Sequence, residues 1–337
     1  MLFKPRRLYI SRLLSLVLAS FVLDSASAAA QTPAASLIVL NKEDATLAIV
    51  DPVARTVVGR VPTGEGPHEV AVSTDGKLAF VANYGAQTPG STISIIDLVA
   101  PKEVRKLDLG PVRRPHGIAY ADGKVYFTAE ANRVVARFDA ASGRFDWLFG
   151  TGQAATHMVL LSPDAKRIFT ANIGSDNISI IEPGANAASW NQTLVAVGKG
   201  PEGLDVSPDG KELWAAHSRD GAVSVIDVAA KKVVATIDVK TKRSNRLKFT
   251  RDGRQVLVSD LEAGQLVVVD AAARREVKRL TLGKSPEGIL VAPDGAHAYV
   301  AVNGDNYVAI VDLKSLSEVG RIATGTGPDG MAWAERK

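Results

Sequence analysis

From residue 35 onward, apolar positions come in short runs with period two, and none is long enough to read as a helix. The runs 70–72 and 78–82 flank the turn Ser73-Thr74-Asp75-Gly76. That turn recurs as Ala121-Asp122-Gly123, Ser162-Pro163-Asp164-Ala165, Ser207-Pro208-Asp209-Gly210, Thr250-Arg251-Asp252-Gly253 and Ala292-Pro293-Asp294-Gly295. Gly tolerates positive φ and Asp bonds its own backbone, so each turn predicts a tight hairpin. A third alternating run then ends in an acid (Asp97, Asp139, Asp227, Asp270, Asp312), and a fourth run follows. Those acids read as turn caps.

The unit is therefore four short strands, A to D, repeating every 41 to 48 residues. That length fits a β-propeller blade. Strand A begins seven times, at Pro67, Pro115, Thr156, Pro201, Ser244, Pro286 and Pro328, and the last start leaves room for one strand only. The runs 37–40, 46–50 and 56–61 supply the missing three. The expected fold is thus all-β: a seven-bladed propeller whose last blade combines N-terminal strands with the C-terminal strand, which closes the ring and removes two exposed edges.

The first thirty residues stand apart. Lys4, Arg6, Arg7 and Arg12 precede an apolar stretch at 13–23, and small residues follow, with Ala-x-Ala sites ending at Ala28 or Ala30. This is the pattern of a secretory signal peptide, and the stretch is short for a bilayer span. The domain expectation is a signal peptide at 1–30 and a single propeller at 31–337, in the periplasm or secreted, with no later membrane span. Without the leader's four basic residues and one acid, the formal charge drops from +4 to about +1. The high pI thus carries no general argument for nucleic acid, which is disfavoured as a partner though loop cations leave it open. The chain has no cysteine, so the exported fold holds together without disulfides.

The repeat register gathers candidate chemistry. Seven residues before the turn Asp stand His68, His157, Glu202, Asn245 and Glu287; His116 fills that slot after a one-residue deletion, and Asp329 fills it in the composite blade. Eight residues after the turn Asp stand Asn83, Glu130, Asn172, His217, Asp260 and Val302, with Asn41 in the composite blade. Fourteen such slots should hold roughly a quarter of one histidine by chance, yet they hold four of five, all but His297. Both slots should lie at one mouth of the channel. Symmetry about the hairpin predicts side-by-side pairs: His68 with Asn83, His116 with Glu130, His157 with Asn172, Glu202 with His217, and Asn245 with Asp260.

Neutral imidazoles and carboxylates suit a divalent metal such as zinc, manganese or copper. His68, His116, His157 and Glu130 are the expected metal ligands. Asn83, Glu202, His217, Asn245, Asp260, Glu287, Asp329, Arg114 and Arg243 are the expected small-ligand contacts. Basic loops carrying Arg113, Arg114, Lys199, Lys242, Arg243, Arg246 and Lys284 should steer an anion to the mouth. The loop 84–91, longer than its equivalents, reads as a tolerated insertion or a partial lid, and the insertion 183–191 with Trp190 as packing or a protein contact.

Phe80-Val81-Ala82-Asn83, Phe169-Thr170-Ala171-Asn172 and the recurring Pro-x-Gly and Pro-Asp-Gly resemble the YVTN-type propeller repeat over essentially all of the mature chain. That resemblance implies the fold and leaves function open. Members of the family act as binding proteins, some implicated with DNA, or occur in cell-surface layers. Gly66-Pro67-His68, Arg114-Pro115-His116-Gly117 and Tyr126-Phe127-Thr128-Ala129-Glu130 resemble segments of the virginiamycin B lyase family. This second resemblance implies His116 or His68 as catalytic base and Glu130 as a metal neighbour, in a metal-dependent lyase or hydrolase. The alternative is a non-catalytic propeller: a metal carrier, a scaffold for a protein or DNA partner, or an accessory to a periplasmic quinoprotein oxidation system.

Overall fold

The computed structural model describes residues 1–4, 32–186 and 189–336. Most of the expected leader, from 5 to 30, lies outside the described residues, as do 187 and 188 of the insertion. Residues 31–337 form one compact unit. No helix among the described residues is long and apolar enough to cross a membrane.

The unit is a ring of seven four-stranded antiparallel sheets. The inner strands begin at Pro67, Pro115, Thr156, Pro201, Ser244, Pro286 and Pro328, the seven starts expected from the repeat. Closure is as expected too: Pro328–Glu335 pairs with Ala35–Asn41, which leads into Thr46–Asp51 and Thr56–Pro62. Turn acids hold the hairpins, as at Asp75, which accepts a hydrogen bond from the Ser73 hydroxyl at 2.6 Å. The strand-C acids cap the following turn; Asp97 accepts from the backbone N–H of Val99 and Ala100 at 2.8 and 3.0 Å.

The middle strands B and C are buried on both faces, so their side chains fill the space between neighbouring blades. Phe80, Phe127 and Phe138 join the blades starting at Pro67 and Pro115. Trp214 and Phe249 join the next pair but two. Each such buried aromatic stabilises by about 1.5–3 kcal/mol, which explains a ring that holds together without a disulfide. The outer strand D alternates exposed and half-buried residues. The loop 84–91 is not a free lid: it lengthens the hairpin, with Gly85 paired to Pro89, and leaves Ala86 to Thr88 exposed at the tip. Trp190 packs on Trp147 at 4.9 Å between ring centroids.

One irregularity recurs in every blade and sets the site. Each A–B pair carries one more residue on strand A, between Pro67 and Glu69 and at the equivalent place in the other six. Such a β-bulge turns the following side chains to the other face.

Candidate functional site

The bulge corrects the expected pairs. Asn83 lies opposite Pro67, not His68; Asn172 opposite Thr156; His217 opposite Pro201; Asp260 opposite Ser244. The two slots therefore do not face each other across a hairpin. The slot on strand A lines the channel, and the slot on strand B turns into its own blade.

In the blades, the B-slot residues satisfy backbone and hydroxyl groups. Asn83 accepts from Gly64 N–H at 3.0 Å and donates to Thr92 and Ser94. Asn172 donates to Asn177 and Ser179, each at 2.8 Å. Asp260 accepts from Lys242 and Arg243 N–H at 2.8 and 3.0 Å. His217 is fully buried and bonds Asp220 through Nδ1 at 2.9 Å, with its Nε2 left without a partner. Arg243 itself is exposed on its loop.

Glu130 is an exception with a simple cause. The residue opposite Pro115 is Ala129, seven rather than eight residues after the turn Asp, so this hairpin is also one residue shorter after its turn and Glu130 stands one place beyond the B slot. Its equivalents are Lys42, Tyr84, Ile173, Ser218, Leu261 and Asn303, whose backbone N–H all bond the residue before strand A. This position reaches the channel, and sequence reasoning missed Lys42 and Tyr84 there. It also missed Glu69, and it placed Arg246 on a basic loop, whereas Arg246 lies buried on an inner strand and pairs with Glu69; both replace the glycine of Pro-x-Gly. At Gly117, Gly203, Gly288 and Gly330 a Cβ would meet the neighbouring inner strand's backbone at 2.1–2.6 Å. Of the three blades that depart from glycine, one places Met158 there, against an apolar cluster, and the other two send the charged side chains of Glu69 and Arg246 into the channel.

The mouth is divided. On one arc stand three imidazoles, with ring centroids 5.0 Å apart for His68 and His116 and 3.7 Å apart for His116 and His157. Glu130 closes this arc. Its Oε1 shares a short hydrogen bond with His157 Nδ1, and its Oε2 accepts from the Tyr84 hydroxyl at 2.6 Å. Tyr84 also packs on His68 and beneath the Arg114 guanidinium, 4.6 Å from the ring centre. His68 Nδ1 bonds the Gly66 carbonyl at 2.9 Å. His116 Nδ1 and His157 Nε2 are buried without any hydrogen-bond partner.

On the other arc stand Glu202, Asn245, Glu287 and Asp329. Asn245 donates to Glu202 at 2.7 Å. Arg246 reaches across to Glu69, with Nε 3.0 Å from the carboxylate. Lys42 Nζ lies 3.4 Å from both Glu287 and Asp329.

Electrostatics follow the division. Burial, with Lys42 nearby, pushes the His68 pKa down to about 4, and burial beside His157 and His68 holds His116 well below the usual range. Both imidazoles are neutral at pH 7, the state that binds metals. Burial works against the Glu130 charge, but the His157 and Tyr84 hydrogen bonds outweigh it and keep its pKa low. Burial and Glu130 push the Tyr84 hydroxyl up to about 12. Opposite, burial and Asp329 push Glu287 up to about 8. Burial opposes the Lys42 ammonium, yet Asp329 and Glu287 hold it above its ordinary value.

His116, Glu130 and His157 each offer a ligand atom, all within 4.8 Å of one another, and could hold a metal ion. His68, the fourth expected ligand, stands beside this group rather than in it.

Comparison with known proteins adds the following. A family model described as the cytochrome D1 heme domain matches residues 119–293, and a YNCE-like beta-propeller model matches residues 7–148. Antigen Lp49 of Leptospira interrogans is 24% identical over 157 residues, covering 44% of the chain and 34% of that protein. Hydrazine synthase subunit beta of Kuenenia stuttgartiensis is 31% identical over 141 residues, covering 34% and 36%. The matches thus span about a third of the length of these curated relatives. Among solved structures, Kuenenia stuttgartiensis hydrazine synthase superposes with TM-score 0.73 at 18% identity, over 84% of this chain and 93% of that one. The periplasmic gluconolactonase of Pseudomonas aeruginosa gives 0.74 at 18%, over 90% and 99%. Dihydro-heme d1 dehydrogenase gives 0.64 at 17%, over 88% and 74%. At these identities the likeness is one of fold.

A haem is what the first of these matches brings to mind, and the residues of the mouth do not fit one. The Arg246–Glu69 pair spans the channel. His116 is 2% exposed, with its free nitrogen buried. A macrocycle needs an axial nitrogen at an open face, and the free nitrogens here are enclosed.

Proposed function

The chain belongs to the family described by the cytochrome D1 heme domain model, as a YVTN-type seven-bladed propeller, and on that premise we propose that it is an exported binding protein whose channel mouth holds a divalent metal. His116 and His157 supply the nitrogens. Glu130 completes the group or, through its bond to His157 Nδ1, fixes the tautomer that leaves Nε2 free; a carboxylate behind a metal-bound imidazole commonly does this. Zinc, manganese and copper all suit such donors. The observation that carries the reading is the pair of buried nitrogens, His116 Nδ1 and His157 Nε2, left without partners beside a carboxylate. A buried polar atom without a partner is costly, and a metal would relieve two at once.

The charge of the mouth supports the same reading. Among the described residues, the carboxyl groups of Glu69, Glu130, Glu202, Glu287 and Asp329 outnumber the cations paired with them, Lys42 and Arg246, even with Glu287 largely protonated at pH 7. Binding is favoured over base catalysis by His68 or His116, because imidazoles with pKa values this low are weak bases at pH 7. Arg114, placed over Tyr84 at the rim, would guide a small anionic ligand towards the metal.

The test is zinc uptake by purified, chelator-stripped protein, followed by calorimetry and elemental analysis. One equivalent should bind, with uptake lost in His116→Ala and His157→Ala and kept in His217→Ala. No uptake by the wild type would sink the proposal.

A further inference from the structure

The acid arc has its own unmet need. Asp329 is 1% exposed, and no donor reaches either of its oxygens in good hydrogen-bond geometry, although the Glu287 carboxyl beside it can share a proton with it. A buried carboxylate in that state is expensive, because water no longer solvates it. Its neighbours are mostly committed: Arg246 bonds Glu69 and approaches Asp329 only to 4.0 Å, and Glu202 is held by Asn245. What remains is the carboxyl of Glu287, with which Asp329 can share a proton, and Lys42, which is loosely placed. Its Nζ lies 3.4 Å from Asp329 and from Glu287, whereas a charge-assisted N–H···O bond is typically about 2.7–2.9 Å. The Lys42 side chain is 26% exposed, so it enters the carboxyl pair from the open side of the mouth.

We propose that Asp329 and Glu287 form a second recognition point at the mouth, which takes the protonated amine of a small ligand, and that Lys42 occupies it in the free protein. A primary ammonium has three N–H donors, and the two carboxyl groups on adjacent inner strands present acceptors from two sides. The flexible Lys42 chain acts as a tethered competitor: it lowers the cost of the empty site and swings into solvent when a ligand amine arrives. Across the channel lies the metal group, so a ligand bound at both points carries an amine at one end and a metal-binding group at the other. The proposal rests on the mouth being the ligand site, and not on the metal being there.

The experiment titrates chelator-stripped protein at pH 7 with n-propylammonium chloride, with sodium propionate as the anionic control at equal ionic strength, by calorimetry. The wild type should bind propylammonium weakly and saturably. Lys42→Met should bind it about tenfold more tightly, and Lys42→Met/Asp329→Asn should lose that gain. Glu287→Gln in the Lys42→Met background gives the same reading where the Asp329 variant fails to fold. Equal binding of propionate, or a Lys42→Met protein no better than wild type, would overturn the proposal. Zinc uptake is measured separately on the same wild-type sample, so either reading can fail while the other stands.

Discussion

His116 and His217 are both buried histidines placed by the same repeat, each with one ring nitrogen left without a partner, yet they face different surroundings. His116 faces the channel between two other imidazoles, with a free nitrogen beside a carboxylate. His217 lies inside its blade, tied to Asp220 three residues on. The difference comes from one extra residue on each inner strand, which sends the strand-A slot to the channel and the strand-B slot to the blade. A polar repeat position can therefore be structural or chemical depending on a local backbone irregularity, with no change of residue type.

That division can be broken by mutation. The largest effect belongs to the channel's own ion pair. Arg246→Ala leaves Glu69 buried without its partner, and unfolding in urea should show a loss of about 3–5 kcal/mol, largely recovered in Arg246→Met/Glu69→Gln. A blade-facing change should lower stability and spare the site: Asn172→Ala should cost about 1–3 kcal/mol while zinc uptake stays as in wild type. Lost uptake in that variant would mean the two slots are not separate in function. A site-facing change should do the reverse. In Glu130→Gln, zinc affinity should fall by roughly 10–100-fold, with little change in melting temperature; Tyr84→Phe, one hydrogen bond further out, should move both less.

The smallest effect is a slope. His68 has a folded pKa of about 4 against an ordinary 6.5, so the folded state binds fewer protons. Its contribution is whole above pH 6.5 and is lost as pH falls towards 4. Glu287, pushed up to about 8, acts in the opposite direction: its contribution is whole below its ordinary 4.5 and is lost as pH rises through 8. In metal-free protein, His68→Gln should flatten the acid side of the melting-temperature profile and Glu287→Gln the alkaline side. A profile that neither variant changes would remove the electrostatic contrast between the arcs.

The fold was legible because hairpin turns are local: Asp and Gly at fixed offsets report backbone geometry directly, and counting strand starts was enough to find the composite blade. The A-slot ring was legible for the same reason, since His68, His116, His157, Glu202, Asn245, Glu287 and Asp329 all keep their register. Facing pairs were not, because a bulge adds a residue without any residue type of its own. The bulge also hid Lys42 and Tyr84, one place beyond the slot that was tracked. Glu69 and Arg246 did leave a signal. They stand where four other blades have glycine, and a charged residue in a position otherwise closed by backbone contact has only the channel to enter.

Closing the ring with both ends of the chain has a consequence for timing. Lys42 comes from the turn after the first strand of the fold and Asp329 from the last strand, 287 residues apart, and they meet at Glu287 only after the final strand docks. An emerging or truncated chain can build blades and even the imidazole arc, but not the acid arc. Ligand capture through Asp329 would thus begin only on completed molecules, which makes the mouth a checkpoint on its own assembly.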